Sequence, residues 1–391
     1  MEFKTLEELA FINPDSIRSD SHLGEIEYID IQSVGSGYLI ESKLIPISKA
    51  PSRARRLVKK GDTILSTVRP NRRSFLYIKE TKDNLIVSTG FAVLRPKNGT
   101  DSKYLYYAIT EPKFTEYLTL YAKGAAYPAV DTEIIKKAKI PFYPFETQRK
   151  IAAILSAYDD LIENNTRRIQ ILEEMTQRIY QEWFVNFRFP GHEKVKFIDS
   201  ELGKIPEGWE VKKVGDVIQR LSSGKKYDNK SALPQGKVPI LDQGRSGIIG
   251  YHNNVPDVIA SEEKPIIVFA NHTCYQRLIM FPFSAIQNVI PFIPSPNCSR
   301  NIYWLHWATK DLIKFNDYKG HFPEFTTKQL VVPYSKICED FGNIVKPMVI
   351  LKFHLEQENK LLRETRDLLL PKLISGELDV SNLDITVKNG I

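Results

Sequence analysis

Between Ile151 and Trp183 an apolar or register-setting residue recurs at Ile151, Leu155, Tyr158, Ile162, Asn165, Ile169, Leu172, Thr176, Ile179 and Trp183, in steps of four and three. That rhythm is the seam of a coiled coil. Neither Gly nor Pro occurs between Phe145 and Pro190, so the spacing predicts one unbroken helix of roughly 50 Å, at about 1.5 Å per residue. A rod of that length in mid-chain, between two turn-rich segments, sets a distance between two globular pieces.

A partner for the rod lies near the other end of the chain. Met348, Leu351, Leu355, Glu358, Leu362, Thr365 and Leu369 repeat the four-three step, and no Gly or Pro falls between Met348 and Leu370. The two helices are expected to pair antiparallel as an intramolecular coiled coil, with a pseudo-twofold axis across the rod. Polar seam residues, Asn165 and Thr176 in the first and Glu358 and Thr365 in the second, cost stability but select one register. Pro347 interrupts the second pattern, so residues 341–346 are expected to be kinked or separate. The alternative is a pair of ordinary amphipathic core helices.

The 391 residues exceed what one hydrophobic core organises, and two to three domains are expected. Three widely spaced cysteines, Cys274, Cys298 and Cys338, suggest neither a disulfide framework nor a zinc cluster. The N-terminal MEFKTLEELAF is acidic and amphipathic rather than a signal peptide, and no apolar run is long enough to span a bilayer, so a cytoplasmic, prokaryotic protein without a membrane partner is expected. Charge is sorted along the chain. Residues 1–30 hold eight acidic and two basic side chains, whereas Lys49 to Arg73 holds nine basic residues and one acid, Asp62. Lys212 to Arg245 adds eight basic and three acidic residues. Such clusters attract a phosphate backbone, and the arginines of the first favour bidentate contact with phosphate or guanine edges.

The segments on either side of the rod look like copies of one plan. Met1 to Leu9 aligns with Trp209 to Val217; Lys123-Gly124 and Tyr127-Pro128 recur as Lys319-Gly320 and Phe322-Pro323; Ile140-Pro141 recurs as Val332-Pro333. A repeat of this size is a domain duplication in the order globule, helix, globule, helix. Within the globules, strands are predicted over 26–31, 63–68, 75–78, 91–94, 265–270, 278–283 and 289–293, and short helices over 102–109 and 300–310. The fold class is α+β, with mixed sheets and short helices in two duplicated domains separated by the two long helices.

Enzymatic signatures are sparse. The chain has no Asn/Asp-Pro-Pro-aromatic tetrad for a flipped adenine, no P-loop and no metal-ligand spacing among its histidines. The one nuclease pattern is Pro-Asp followed by acid-X-Lys: Pro14-Asp15 with Glu41-Ser42-Lys43, or Pro256-Asp257 with Glu262-Glu263-Lys264. It keeps a stand-alone nuclease as the alternative function. No RNA-binding signature occurs.

Four stretches resemble the specificity subunits of type I restriction-modification enzymes: 144–162 (PFETQRKIAAILSAYDDLI), continuing through Ile171 to Met175 and Glu182 to Phe187; 203–211 (GKIPEGWEV); and 369–378 (LLPKLISGEL). Thr147 departs from the family's more usual acid. The resemblance implies target recognition domains at 1–145 and 190–336, conserved helices at 146–189 and 337–376, and a tail at 377–391. It implies a non-catalytic reader of bipartite, asymmetric double-stranded DNA that docks two methyltransferase (M) subunits and recruits restriction/translocase (R) subunits. This chain then needs no cofactor; S-adenosylmethionine, ATP and magnesium belong to the partner subunits. The candidate DNA contacts are Arg53, Arg55, Arg56, Arg69, Arg72, Arg73, Lys123 and Tyr127 in the first domain. In the second they are Lys225, Lys226, Arg245, Asn271, His272, Tyr275, Arg277, Lys319 and His321.

Overall fold

The computed structural model describes residues 2–17, 24–244, 247–298, 300–315 and 320–385. The chain forms two units, residues 1–164 with 359–391, and residues 165–358.

The first unit opens with a strand, Glu2–Thr5, and one helical turn, Leu6–Leu9, that buries Leu6 and Leu9. The Thr5 N–H and hydroxyl both donate to the Glu8 carboxylate, at 2.7 and 2.6 Å, which fixes the bend between them. Glu2–Thr5 pairs antiparallel with Lys139–Phe142, the last strand before the first long helix. The inner sheet is antiparallel, in the order Ala10–Ile12, Phe91–Pro96, Thr63–Ser66, Phe75–Tyr77. A second, mixed sheet follows the order Lys43–Pro46, Glu25–Ile29, Leu85–Ser88, Ala54–Leu57. Phe91 to Leu94 are all buried because the inner sheet is covered on both faces. Ala92 and Leu94 pack with the helix Ser102–Thr110, while Phe91 and Val93 belong to the cluster that holds Ile29 and Val87 of the second sheet. Asp101 caps that helix by accepting the Tyr104 N–H at 2.8 Å.

The second unit follows the same plan. Glu210–Lys213, the turn Val214–Val217 and Ile218–Arg220 repeat the opening, and Glu210–Lys213 pairs antiparallel with Gln329–Val332. Its inner sheet runs Ile218–Arg220, Val289–Pro294, Ile266–Ala270, Gln276–Ile279. The duplication therefore holds, and the units diverge in the second sheet. There the order is Lys226–Tyr227, Ser284–Ile286, Val238–Leu241, Ile248–His252, and Lys226–Tyr227 runs parallel to its neighbour where Ala54–Leu57 runs antiparallel.

Two of the expected correspondences shift. Ile140 lies opposite Lys4 and Leu330 opposite Lys212, so Ile140 matches Leu330 rather than Val332. The helix Thr132–Lys137 matches Phe322–Thr327, so Phe322-Pro323 is a helix start, whereas Tyr127-Pro128 precedes one. Lookalike Gly and Pro dipeptides misled the alignment; the register follows the residues that face the core, Ile140 and Leu330. The strand expected at 278–283 lies instead at Gln276–Ile279.

The first long helix, Phe145–Tyr180, has 36 residues and runs on into one π turn, Gln181–Val185. The second, Ser335–Ser375, has 41. Every seam residue of the first is covered: Ile151, Leu155, Asn165 and Thr176 are buried, and Tyr158, Ile162, Ile169, Leu172, Ile179 and Trp183 are half-buried. In the second, Leu355 is buried and Met348, Leu362 and Leu369 are half-buried, but Leu351, Glu358 and Thr365 are exposed. The covered polar positions are Asn359 and Arg366, one residue on, because the seam steps 352, 355, 359, 362, 366, 369 and 373. Pro347 does not break the helix. It sits on the exposed face, where the Asn343 carbonyl that loses its donor is open to water, while Phe341 and Val345 anchor the covered face.

Within each unit the helices run antiparallel and share one kind of polar lock. In the first unit the Asp159 carboxylate accepts from Arg366 at 2.5 Å and from the Tyr107 hydroxyl at 2.5 Å, so a residue of the globule's own helix closes the pair. In the second, Glu173 is held by Lys352 at 2.9 Å and by Lys310, just past the helix Ile302–Thr309, at 3.1 Å. Burial alone would push the Glu173 carboxyl up; Lys352 and Lys310 overcome that and hold it down at about 2.

Two outcomes follow from these locks. Replacement of Arg366 by Met strands a partly buried carboxylate and should lower stability by about 2 kcal/mol in urea unfolding, with part recovered when Asp159→Asn is added. The depressed Glu173 group stabilises the fold above its ordinary value of 4.5 and loses that contribution as pH falls toward about 2. Thermal unfolding followed across that window should show a steeper acid loss for the native chain than for Glu173→Gln.

Candidate nucleic-acid interface

The arginine-rich segment of the first unit folds into a tight turn. Pro70–Arg72 makes one 3-10 turn, and the residues flanking it, Arg69 (φ 49°) and Arg73 (φ 54°), are both left-handed. Each such non-glycine residue costs roughly 1–2 kcal/mol, so the surroundings must hold it. The Arg69 N–H donates to Pro128 O at 2.7 Å, its guanidinium donates to Ala126 O at 3.0 Å and lies 4.5 Å over the Tyr127 ring. The Arg73 guanidinium donates to Thr110 O at 2.8 Å, and the Ser36 hydroxyl donates to Arg73 O at 2.8 Å.

These contacts join two segments singled out separately in the sequence. Lys123 and Ala129 exchange backbone hydrogen bonds of 2.9 Å, closing the loop between them, and Gly124 (φ 108°) sits where a Cβ would lie 3.0 Å from Tyr127 O. Tyr127 remains 70% exposed, and Arg72 and Lys123 are exposed. The result is one surface on which Arg72, Lys123 and Tyr127 face solvent, while Arg69 and Arg73 build it. Arg53 comes near through the turn 88–90: Arg53 O accepts from Thr89, and Gly90 O accepts from Thr67, each at 2.8–2.9 Å. Arg53 and Arg55 are exposed, with Arg55 Nε donating to Ser52 O at 3.1 Å. Arg56 is half-buried, and that burial pushes its guanidinium down.

In the second unit Lys225 lies over Tyr227, 5.2 Å from the ring centroid, and its N–H donates to the Asp257 carboxylate at 3.0 Å. Asn271 is a structural tie: its side-chain oxygen accepts the Phe322 N–H at 2.8 Å, and its carbonyl accepts the His321 N–H at 2.9 Å. The His272 N–H donates to the Gln243 side chain at 2.9 Å. Tyr275 is exposed. Arg277 points inward, donating to Asp242 O at 2.6 Å, and burial pushes its guanidinium down. His321 is fully buried at the start of Phe322–Thr327, so its side chain is no surface contact. Arg245 and Lys319 lie outside the described residues.

Lys226 and Asn271 line a cleft of about 340 Å³ together with Arg220, Gln287, Asn288 and Phe322. Arg220 lay inside the basic stretch of the sequence but at the end of a short strand, where nothing marked it. Gln287 and Asn288 form an uncharged turn with no sequence signal at all.

The acids of the acid-lysine patterns each have partners of their own. Asp15 accepts from Arg95 at 2.5 Å, whereas Glu41 pairs with its neighbour Lys43 at 3.3 Å. Asp257 accepts from Ser284 at 2.5 Å, Glu262 pairs with His354 at 2.7 Å, and Glu263 accepts from Ser261 at 2.9 Å. Among the described residues no group of three or more His, Cys, Asp or Glu is placed to hold a metal ion, and no helix is long and apolar enough to cross a membrane.

The two kinds of arginine separate experimentally. Arg72→Ala should leave thermal unfolding unchanged and weaken duplex binding, reducing the salt slope by about 1. Arg73→Ala should instead lower stability by about 1 kcal/mol, because the Thr110 carbonyl loses its charged donor. Unfolding curves and fluorescence-anisotropy salt titrations of the two variants make the comparison.

The family of the type I restriction modification DNA specificity domain matches residues 1–174 and 206–331. The chain is 27% identical over 350 residues to the type I restriction enzyme MjaIX specificity subunit of Methanocaldococcus jannaschii, covering 84% of this chain and 80% of that protein. It is 22% identical to the HindI specificity subunit of Haemophilus influenzae, covering 90% and 94%. The fold is shared with the crystal structure of the type I restriction-modification S subunit from M. genitalium, at a TM-score of 0.60, 16% identity, and coverage of 95% of this chain and 96% of that one. A family match over both globules, on a fold with a duplicated unit, places this chain in the family of type I restriction-modification DNA specificity subunits.

Proposed function

We propose that each unit reads one half of a bipartite, asymmetric double-stranded DNA site, and that the two long helices fix the unread spacer between the halves. The observation that supports this most is duplication with divergence. The inner sheet and the opening strand pair recur in register, while the second sheet and the exposed side chains differ. Two copies of one frame carrying different surfaces suit a site whose halves differ.

Arg72, Lys123 and Tyr127 are the leading contacts of the first unit, with Arg53 and Arg55 beside them; Lys225, Lys226 and Tyr275 are those of the second. The chain acts without a catalytic centre of its own. Two N6-adenine methyltransferase subunits dock on the helices and carry S-adenosylmethionine, and ATP- and magnesium-dependent translocase-endonuclease subunits join that assembly. The rival, a stand-alone nuclease, is disfavoured by the dispersal of its candidate acids among separate partners.

Mapping of N6-methyladenine in a host with and without this chain tests the reading. The expected result is a two-part motif that vanishes with the chain; cleavage of plasmid by the purified chain with magnesium alone would overturn it. Matched removal of one heptad from both long helices should shorten the spacer of that motif by about 3 base pairs, since seven residues rise about 10.5 Å, and leave both half-sequences unchanged.

A further inference from the structure

The cleft of the second unit carries two cations, Arg220 and Lys226, among the neutral polar side chains of Ser223, Asn271, Gln287 and Asn288. The strand Ile218–Arg220, the strand Lys226–Tyr227 and the turn at Gln287–Asn288 enclose it, with Phe322 forming one wall. The Arg220 guanidinium lies 5.7 Å from the Phe322 ring centroid. The Lys226 ammonium contacts the Ser223 hydroxyl, and burial, followed by repulsion from Arg220, lowers its proton affinity below that of an ordinary lysine. Asp257 acts on Lys226 in the opposite sense, and its oxygens also accept from the Lys225 N–H at 3.0 Å and the Ser284 hydroxyl at 2.5 Å. Asn271, whose side-chain oxygen accepts the Phe322 N–H, also lines the cleft. Two like charges lining a common space are relieved by an anion.

The duplication shows that folding does not require this charge. Ile12 lies opposite Leu94 in the first unit as Arg220 lies opposite Phe292 in the second. The Thr67 N–H donates to Gly90 O at 2.9 Å as the Asn271 N–H donates to Asn288 O at 2.9 Å. The same pairings thus form in the first unit with Ile12, Thr67 and Gly90 in place of Arg220, Asn271 and Asn288.

We propose that this cleft seats one phosphodiester group of the DNA backbone between Arg220 and Lys226, anchoring the second unit on the duplex without reading sequence. The assignment rests on the DNA-reading function above and deepens it. Binding of the full chain to a duplex carrying the mapped half-sites, titrated with salt, tests it. R220A/K226A should reduce the magnitude of the log–log salt slope by about 0.9, the value for one phosphate, and leave the preference for the mapped duplex over a scrambled one unchanged. R220K/K226R, which keeps both charges, should retain the native slope and controls for misfolding. K194A/K204A removes two exposed lysines of the same unit outside the cleft and should leave the slope unchanged. An equal fall in both alanine pairs, or no fall in the first, would overturn the phosphate seat while the reading function stands. A native chain that does not distinguish the mapped from the scrambled duplex would overturn both.

Discussion

A carboxylate held from two sides fixes the geometry of each unit. Asp159 and Glu173 both lie on the first long helix, and each meets a cation from the second helix and a group from its own globule's short helical region. An apolar seam alone tolerates sliding by a heptad, because one leucine resembles the next. A partly buried charge does not, since a shift strands it without a partner at a cost of several kcal/mol. The lock therefore sets helix register and the seat of the globule in one stroke. The inner sheets, and beside each a separate two-stranded sheet of first and last strands, then present their loops from a fixed base.

Much of this was legible beforehand where a pattern is repeated by packing. The first seam positions are buried or half-buried, because a long helix covers one continuous stripe and leaves its period in the sequence. The second seam was displaced by one residue over part of its length. Its polar positions, Asn359 and Arg366, look like surface residues next to Glu358 and Thr365, and only the partners identify them. Pro347 leaves the helix unbroken, since the effect of a proline depends on which face of the helix it occupies. The strands at 91–96 and 289–294 were visible as apolar runs because both of their faces are covered.

The candidate interface was legible as a composition and not as a geometry. Basic clusters marked the segments, but arginines of identical type divide into those that face solvent and those that build the surface. Arg73 and Arg277 each donate to a backbone carbonyl, and His321 is fully buried; none of this leaves a trace in spacing. Arg220 and the Gln287–Asn288 turn come together only through sheet pairing between residues roughly 70 apart in the chain.

The left-handed pair around Pro70–Arg72 has a consequence for how such an edge can change. Arg69 is committed through its N–H, its guanidinium and its ring contact, Arg73 through its guanidinium and its carbonyl, and Gly124 through its backbone. Asn71 and Arg72 are the two exposed positions of the turn 69–73 itself. Exchanging either side chain leaves the contacts of Arg69 and Arg73 in place. The turn behaves as a socket with two exchangeable bits.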